Sequence, residues 1–106
     1  MPEIDLNFAE LEIHAEAAEA LLKALANSRR LMVLCSLHDG ELSVSELNAR
    51  VPLSQSALSQ HLAMLRNAGL VASRRQAQTI YYRLNDPKVA AVIETLHRLF
   101  CSAEDH

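Results

Sequence analysis

The chain has 106 residues, half of them hydrophobic, with two cysteines and a formal net charge of −3. This size predicts a single small domain over residues 1–106, and no apolar run approaches the roughly 20 residues that a membrane-spanning helix needs. Two cysteines without a signal peptide do not make a secreted disulfide framework, so we expect reduced thiols in a cytoplasmic protein.

The charges are distributed unevenly along the chain. Residues 1–27 contain six acidic residues and one lysine, whereas residues 47–85 contain no acidic residue. The second segment carries five arginines: Arg50, Arg66, Arg74, Arg75 and Arg83. Because a polyanion is bound by a local basic face, this segment is compatible with nucleic-acid binding in spite of the negative net charge.

Three helices are predicted in the first half of the chain. A long first helix is expected over residues 8–26, and a second over Ser28–His38, ended by the turn Asp39-Gly40. The segment SVSE, residues 43–46, is a capping box that opens a short third helix through Arg50. The apolar face of the first helix consists of Leu11, Ala15, Ala18, Leu22 and Leu25, and that of the second consists of Leu31, Leu34 and Cys35.

A fourth helix, a hairpin and a last helix are predicted in the second half. Pro52 ends the third helix, Ser54 is available to cap the fourth, and Gly69 supplies its left-handed stop. The β-prone runs LVASRR and TIYYRL predict a hairpin, and Asp86-Pro87 begins the last helix. The buried stripe of the fourth helix is Ala57, Leu58, Leu62 and Leu65; that of the last helix is Val89, Val92, Ile93, Leu96 and Phe100.

This order predicts a mainly α fold with a small β-hairpin, in which a helix-turn-helix is followed by a wing. Uncharged hydrogen-bonding residues cluster on the front of the fourth helix, which suits the major groove better than a merely solvated face would, because solvated faces usually carry Glu and Lys. Arginines of the hairpin and of the helix end are expected to contact phosphates or the minor groove. The candidate DNA-binding residues are Ser54, Gln55, Ser56, Ser59, Gln60, His61, Arg66, Arg74, Arg75 and Arg83.

The first and last helices lie outside the helix-turn-helix, and their apolar faces need a partner. Pairing across a two-fold axis would give a homodimer whose two recognition helices meet successive major grooves. Packing of these helices within one monomer is the alternative. The small size of the chain favours the homodimer, with double-stranded operator DNA as its partner.

The cysteines admit three interpretations from the residues alone. Cys35 and Cys101 can be small core hydrophobes, or a thiol pair if the last helix folds over the second. Spacings of i,i+3 and i,i+4 also allow a metal site made of Cys35, His38, His97 and Cys101. The chain has no CxxC, no glycine-rich phosphate loop and no paired-carboxylate motif, so we expect no enzyme activity, and no cofactor is predicted.

The segments LKALANSRRLMVLCSLHDGELSVSEL and LSQSALSQHLAMLRNAGLVASRRQAQTIYYRL resemble the ArsR/SmtB family of winged-helix transcriptional repressors, over nearly the whole chain. Ser43 and Ser45 stand where arsenic-sensing members carry metal-binding cysteines. The last helix also lacks the histidine spacing of the zinc sensors. Cys35 in LCSL and Cys101 in LFC match the two cysteines of the BigR, SqrR and HlyU branch, and the departures lie in a longer, acidic N-terminal tail.

That resemblance implies a dithiol repressor that senses sulfide-derived persulfides or oxidants. The reduced dimer would bind operator DNA, and a disulfide or polysulfide bridge between Cys35 and Cys101 would release it. Cys101, near the end of a helix, is expected to react first and Cys35 to resolve the product. The alternative is a metal- or haem-responsive repressor that uses the same Cys and His residues.

Overall fold

A computed structural model describes residues 7–101 of the chain. The elements follow the predicted order with one addition, a two-residue strand before the third helix. They are α1 (Phe8–Leu25), α2 (Ser28–Ser36), β1 (Leu42–Ser43), α3 (Val44–Arg50), α4 (Gln55–Asn67), β2 (Val71–Gln76), β3 (Thr79–Leu84) and α5 (Pro87–Phe100). This is the winged helix-turn-helix fold that the sequence predicts.

Side chains cap the helices where the sequence indicates that they should. In the capping box of α3, the Ser43 hydroxyl accepts from the Glu46 amide at 3.1 Å, and the Glu46 carboxylate accepts from the Ser43 amide at 2.8 Å. Ser54 caps α4, and Asp86 caps α5 ahead of Pro87. These bonds satisfy amides that have no partner within the helix, which explains why each helix begins where it does.

The turn between α3 and α4 completes the helix-turn-helix. Val51 is buried, and the Asn48 side-chain amide donates to the Leu53 carbonyl at 2.9 Å. That bond closes the turn and orients α4 with respect to α3. Gly69 has a φ of +79°, so the predicted left-handed stop after α4 is confirmed.

The β-hairpin of β2 and β3, hereafter the wing, belongs to a three-stranded antiparallel sheet. The strand order is β1-β3-β2, with Leu42 opposite Tyr82 and Arg74 opposite Tyr81. The sequence analysis missed β1, because two residues are too few to show an alternating pattern. Through β1, the wing is hydrogen-bonded to the segment that leads directly into α3.

The core collects apolar residues from all five helices, and α4 supplies three of its leucines. The buried side chains are Ala24, Leu25, Val33, Leu34, Leu37, Leu47, Val51, Leu58, Leu62, Leu65, Leu70, Val71, Tyr82, Val89 and Ile93. The predicted stripe of α4 is confirmed for its three leucines, and Ala57 is half-buried. The packed leucines fix the polar side of α4 toward solvent.

Two predictions about α2 are corrected. The helix ends at Ser36 rather than His38. The Leu37 amide is shared between the carbonyls four and three residues back, and the His38 amide bonds only three residues back, which tightens the last turn. Cys35 is exposed rather than part of the same buried face as Leu34. The helix turns Val33, Leu34 and Leu37 toward the core, which leaves Cys35 on the side that faces α5.

Most of α1 and the C-terminal end of α5 are exposed. Only Ala24 and Leu25 of α1 are buried, while Leu22 is 61% exposed and Phe8 78%. On α5, Val89 and Ile93 are buried as predicted, whereas Phe100 is 75% exposed. None of the helices within residues 7–101 is long and apolar enough to span a membrane.

Candidate nucleic-acid interface and thiol cleft

The front of α4 presents polar side chains to solvent, as predicted. Gln55, Ser59 and Gln60 are exposed, and within residues 7–101 their side chains have no hydrogen-bond partner. Ser54 is partly engaged, because its hydroxyl caps Ala57 at 3.1 Å and lies 3.3 Å from the Ser56 hydroxyl. Exposed amide side chains that make no internal bond are free to bond base edges.

The arginines of the interface differ in what they contact. Arg75 and Arg83 are exposed and form no ion pair in the described part of the chain. Arg66, at the end of α4, donates to Ser73 at 3.4 Å, which holds it beside β2. Arg74 is different, because both Nε and Nη2 donate to the Glu41 carboxylate, at 2.8 and 2.7 Å. The hairpin thus has two arginines without an ion pair, Arg75 and Arg83, and one paired arginine, Arg74.

A cleft of about 670 Å³ lies between α2 and α5, and it brings both cysteines together. Cys35 lines it from α2, and Cys101 lines it from the C-cap position of α5, where its amide donates to the His97 carbonyl at 2.8 Å. Leu31, Ile93, Leu96 and Phe100 supply its apolar walls. Both thiols are free and exposed, so neither is core filling.

The cleft changes the ionisation of Cys35. Partial burial against its walls raises the pKa of the Cys35 thiol, and a negative charge on Cys101 raises it further. A raised pKa lowers the thiolate fraction at neutral pH, and the thiolate is the nucleophile. In the reduced pair, the Cys35 thiol is therefore less ionised at neutral pH than an unperturbed thiol.

His38 links the two helices that form the cleft. Its Nε2 lies 2.9 Å from Glu94 Oε2 on α5, and its Nδ1 lies 3.3 Å from Asp39 Oδ1. The hydrogen bond with Glu94, followed by that with Asp39, raises the pKa of His38 above its ordinary value of 6.5. Protonated His38 thus ties the end of α2 to the middle of α5.

This link predicts a pH-dependent contribution to stability. Because the pKa is raised in the folded state, the contribution is full below pH 6.5 and declines as the pH rises through the folded-state pKa. Urea unfolding should show His38→Gln less stable than wild type at about pH 6, and this difference should decrease as the pH rises through the folded-state pKa of His38. His97→Gln is the control, since none of the described carboxylates bonds its ring. A difference that does not change with pH would contradict the ionic link.

The four residues proposed as alternative metal ligands all line this cleft: Cys35, His38, His97 and Cys101. Within residues 7–101, however, no three His, Cys, Asp or Glu side chains are arranged to hold a metal ion. Both ring nitrogens of His38 are directed at carboxylates. A metal site here would require His38 to leave Glu94.

Comparison with known proteins identifies the family. A model described as the arsR family of bacterial regulatory proteins matches residues 27–73. The transcriptional activator HlyU of Vibrio cholerae is 57% identical over 98 residues, which cover 92% of this chain and 91% of that protein. The chain belongs to the ArsR family. It is therefore a helix-turn-helix transcriptional regulator and not an enzyme.

Two repressors of the family are also similar to this ArsR-family chain. The biofilm growth-associated repressor of Agrobacterium fabrum is 46% identical over 96 residues, covering 91% of this chain and 82% of that protein. The crystal structure of the repressor BigR from Xylella fastidiosa superposes with a TM-score of 0.85 at 38% identity, over 91% of this chain and 98% of that one. Reduced HlyU from Vibrio cholerae superposes with a TM-score of 0.83 at 59% identity, over 87% and 97%.

Sequence reasoning missed two carboxylates that organise these sites, Glu41 and Glu94. Each pairs with a residue distant in the chain, Arg74 and His38 respectively. A single acidic residue gives no local indication of a partner that is distant in the chain. An ion pair between Glu41 and the hairpin could have been suspected only from a predicted β1, which would place Glu41 beside β3.

Proposed function

We propose that this ArsR-family regulator is a repressor whose affinity for operator DNA is controlled by a Cys35–Cys101 dithiol that senses persulfides or oxidants. The observation that supports the proposal is that α2 and α5 each direct one free, exposed cysteine into the same cleft. No other cysteine exists in the chain. Since such a regulator acts on chromosomal DNA, we place it in the cytoplasm.

In the reduced state, α4 reads the operator. Gln55, Ser59 and Gln60 contact base edges in the major groove, with Ser54, Ser56 and His61 contributing around them. Arg66, Arg75 and Arg83 contact phosphates, which sets register and orientation rather than sequence. The absence of acidic residues between 47 and 85 keeps this surface from repelling the DNA backbone.

The DNA-binding unit is a homodimer formed through α1 and α5. Both helices expose large apolar side chains that a monomer would leave in water: Phe8, Leu11, Ile13, Leu22, Leu99 and Phe100. An apolar groove along α1, lined by Leu11, Ala15, Ala18 and Leu22, supports pairing with a second copy. A two-fold axis then gives two copies of α4 for two half-sites.

The switch proceeds in two steps. The Cys101 thiolate takes the outer sulfur of a persulfide RSSH, which releases the thiol RSH and leaves a Cys101 persulfide. The Cys35 thiolate then attacks Cys101 Sγ, forming the disulfide and expelling HS⁻. With peroxide, Cys101 becomes a sulfenic acid and Cys35 displaces water. A donor with one more sulfur leaves a trisulfide by the same route, because Cys35 then attacks the sulfur next to Cys101 Sγ and expels HS⁻.

The bridge acts on DNA binding through the helices that it joins. Helix α2 leads through β1 into α3 and the turn before α4, and α5 follows directly from the wing. A covalent link between α2 and α5 constrains both connections and the dimer helix α5. Two half-sites must be contacted together, so a small change in the spacing of the two α4 helices weakens both contacts.

The test measures mass and operator binding together. The probe is a duplex of roughly 30 base pairs, selected from a random library by the reduced wild-type protein and long enough for two half-sites. A persulfide donor, with a chelator present throughout, should abolish binding and join Cys35 to Cys101, and dithiothreitol should restore both. Cys35→Ser and Cys101→Ser should each bind the operator as wild type with or without the donor, although Cys35→Ser should still gain one sulfur atom on Cys101. Loss of binding in a variant that carries both substitutions, on exposure to the donor, would overturn the proposal.

A metal- or haem-responsive regulator is the second candidate, supported by the four Cys and His residues in the same cleft. It predicts that binding responds to an added metal or haem without any bond between the cysteines. His97→Ala would remove such a response and leave the response to a persulfide donor intact. The chelator in the preceding experiment separates the two candidates.

A further inference from the structure

The guanidinium of Arg74, near the proposed DNA interface, is bonded within the protein. Arg74 lies on β2, opposite Tyr81 of β3, and its guanidinium is 4.6 Å from the centre of the Tyr81 ring. It reaches past that ring to Glu41, directly before β1, and its Nη1 donates to Gln76 at 2.9 Å. These four residues, Glu41, Arg74, Gln76 and Tyr81, are called the wing clasp below.

The clasp spans every strand of the sheet. Because the strand order is β1-β3-β2, a side chain from β2 that bonds to the residue preceding β1 must cross β3. Strand β1 itself pairs with β3 at only two positions, Leu42 and Ser43. Besides the β1–β3 pairing, the clasp is therefore a second connection between the wing and the segment that carries the α3 capping box.

The contacts of Arg74 with Glu41 and Tyr81 require the planar, multi-donor guanidinium of arginine. Two parallel N–H donors meet the two oxygens of one carboxylate, while the flat guanidinium covers the aromatic ring. Lysine would supply the charge but neither the fork nor the planar contact. Arg74 also holds the pKa of the Glu41 carboxyl below its usual range by hydrogen bonding, so Glu41 stays ionised.

We infer that Arg74 is a positioning residue, which uses Glu41 to set the direction of the wing so that Arg75 and Arg83 meet the DNA backbone. Arg75 follows Arg74 on β2 and therefore points to the other face of the wing, whereas Arg83, opposite Ala72, points to the same face as Arg74. The two arginines thus present charge from both faces of the wing. Within the described residues neither forms an ion pair or a side-chain hydrogen bond, although the charge of Arg83 helps to lower the pKa of the Glu41 carboxyl. The inference rests on the proposed role of the wing in DNA binding.

The substitution Glu41→Gln distinguishes two roles for Arg74: positioning of the wing and direct binding of a DNA phosphate. If Arg74 bound phosphate, removal of a neighbouring carboxylate would free its charge and strengthen binding. If Arg74 positions the wing, the same change weakens binding, roughly threefold to tenfold, in spite of the lost negative charge. The probe is the selected operator duplex in its reduced complex with the full chain.

Arg74→Lys provides the conservative variant. It keeps the charge, so a phosphate contact would survive, whereas the clasp would not. We expect Arg74→Lys to weaken binding as much as Glu41→Gln does, and the double variant to be no weaker than either single one. If the losses of affinity in the two single variants add up in the double variant, the inference is overturned. A Glu41→Gln variant that binds as tightly as wild type, or more tightly, would also overturn it.

Arg75→Gln is the comparison on the same strand, because it removes a proposed phosphate contact without changing the clasp. It should lower the dependence of affinity on salt by about one unit per wing. Amide exchange of the wing should accelerate in Glu41→Gln and Arg74→Lys but not in Arg75→Gln. If Arg75→Gln, Arg83→Gln and the clasp variants all bind as wild type, the wing contact itself is overturned; a loss confined to Arg75→Gln and Arg83→Gln overturns the clasp alone.

Discussion

Replacing Gln55, Ser59 and Gln60 together with alanine will leave the protein folded and lower its affinity for the operator duplex by at least about 100-fold, because each lost base contact costs about 1–3 kcal/mol. These side chains are exposed and make no hydrogen bond within residues 7–101, so their removal leaves no unpaired partner inside the protein. Alanine is a strong helix former, and α4 is held by its buried leucines. The loss will therefore appear in recognition and not in stability.

Affinity for a random duplex provides the internal reference for that variant. It should change little, because contacts to phosphates do not depend on these three residues. Asn67→Ala, at the other end of α4, is the matched control and should bind the operator as wild type. Fluorescence anisotropy with both duplexes measures the two affinities. An equal loss on both duplexes would show that α4 does not read sequence.

Leu58→Ala will lower the free energy of unfolding by about 2–5 kcal/mol, a large part of the roughly 5–15 kcal/mol available to a domain of this kind. Leu58 is fully buried on the face of α4 that packs into the core. Its truncation removes apolar contacts and leaves a cavity that the surrounding leucines cannot fill without moving. The helix would stay helical by propensity but lose its fixed orientation.

Met64→Ala is the matched control for this substitution. Met64 lies on the same helix with a side chain of similar size, but it is 38% exposed. Its replacement should cost less than about 1 kcal/mol. Urea unfolding followed by circular dichroism, in reducing buffer, measures both variants. Equal losses at the two positions would contradict the packing described for α4.

The helices and their boundaries were largely predictable, because their signals are local. The capping box at Ser43 and Glu46, the cap at Ser54 and the Asp86-Pro87 start each concern residues within a few positions of one another. The glycine stop at Gly69 is equally local. The exposed front of α4 followed from the same periodicity that buries its leucines. Such features require no knowledge of the rest of the fold.

The partners of the charged side chains were not predictable, because they depend on tertiary packing. Arg74 is separated from Glu41 by 33 positions, and His38 from Glu94 by 56. The rotation of α2 about its axis, which exposes Cys35 while burying Leu34, is set by the neighbouring elements and not by the sequence of α2 alone. Periodicity placed Cys35 on an apolar face, but packing decides which part of that face is covered.

The separation of charge described at the start has a kinetic consequence. The glutamates of α1 and the arginines of the wing give the molecule a permanent dipole, although its net charge would by itself repel DNA. The field of a duplex exerts a torque on that dipole, which turns the acidic helix away from the DNA before contact. A larger fraction of encounters then brings the arginines of the wing, rather than the acidic α1, to the DNA. The rate of association should depend on ionic strength through this orientation, even before any phosphate is bound.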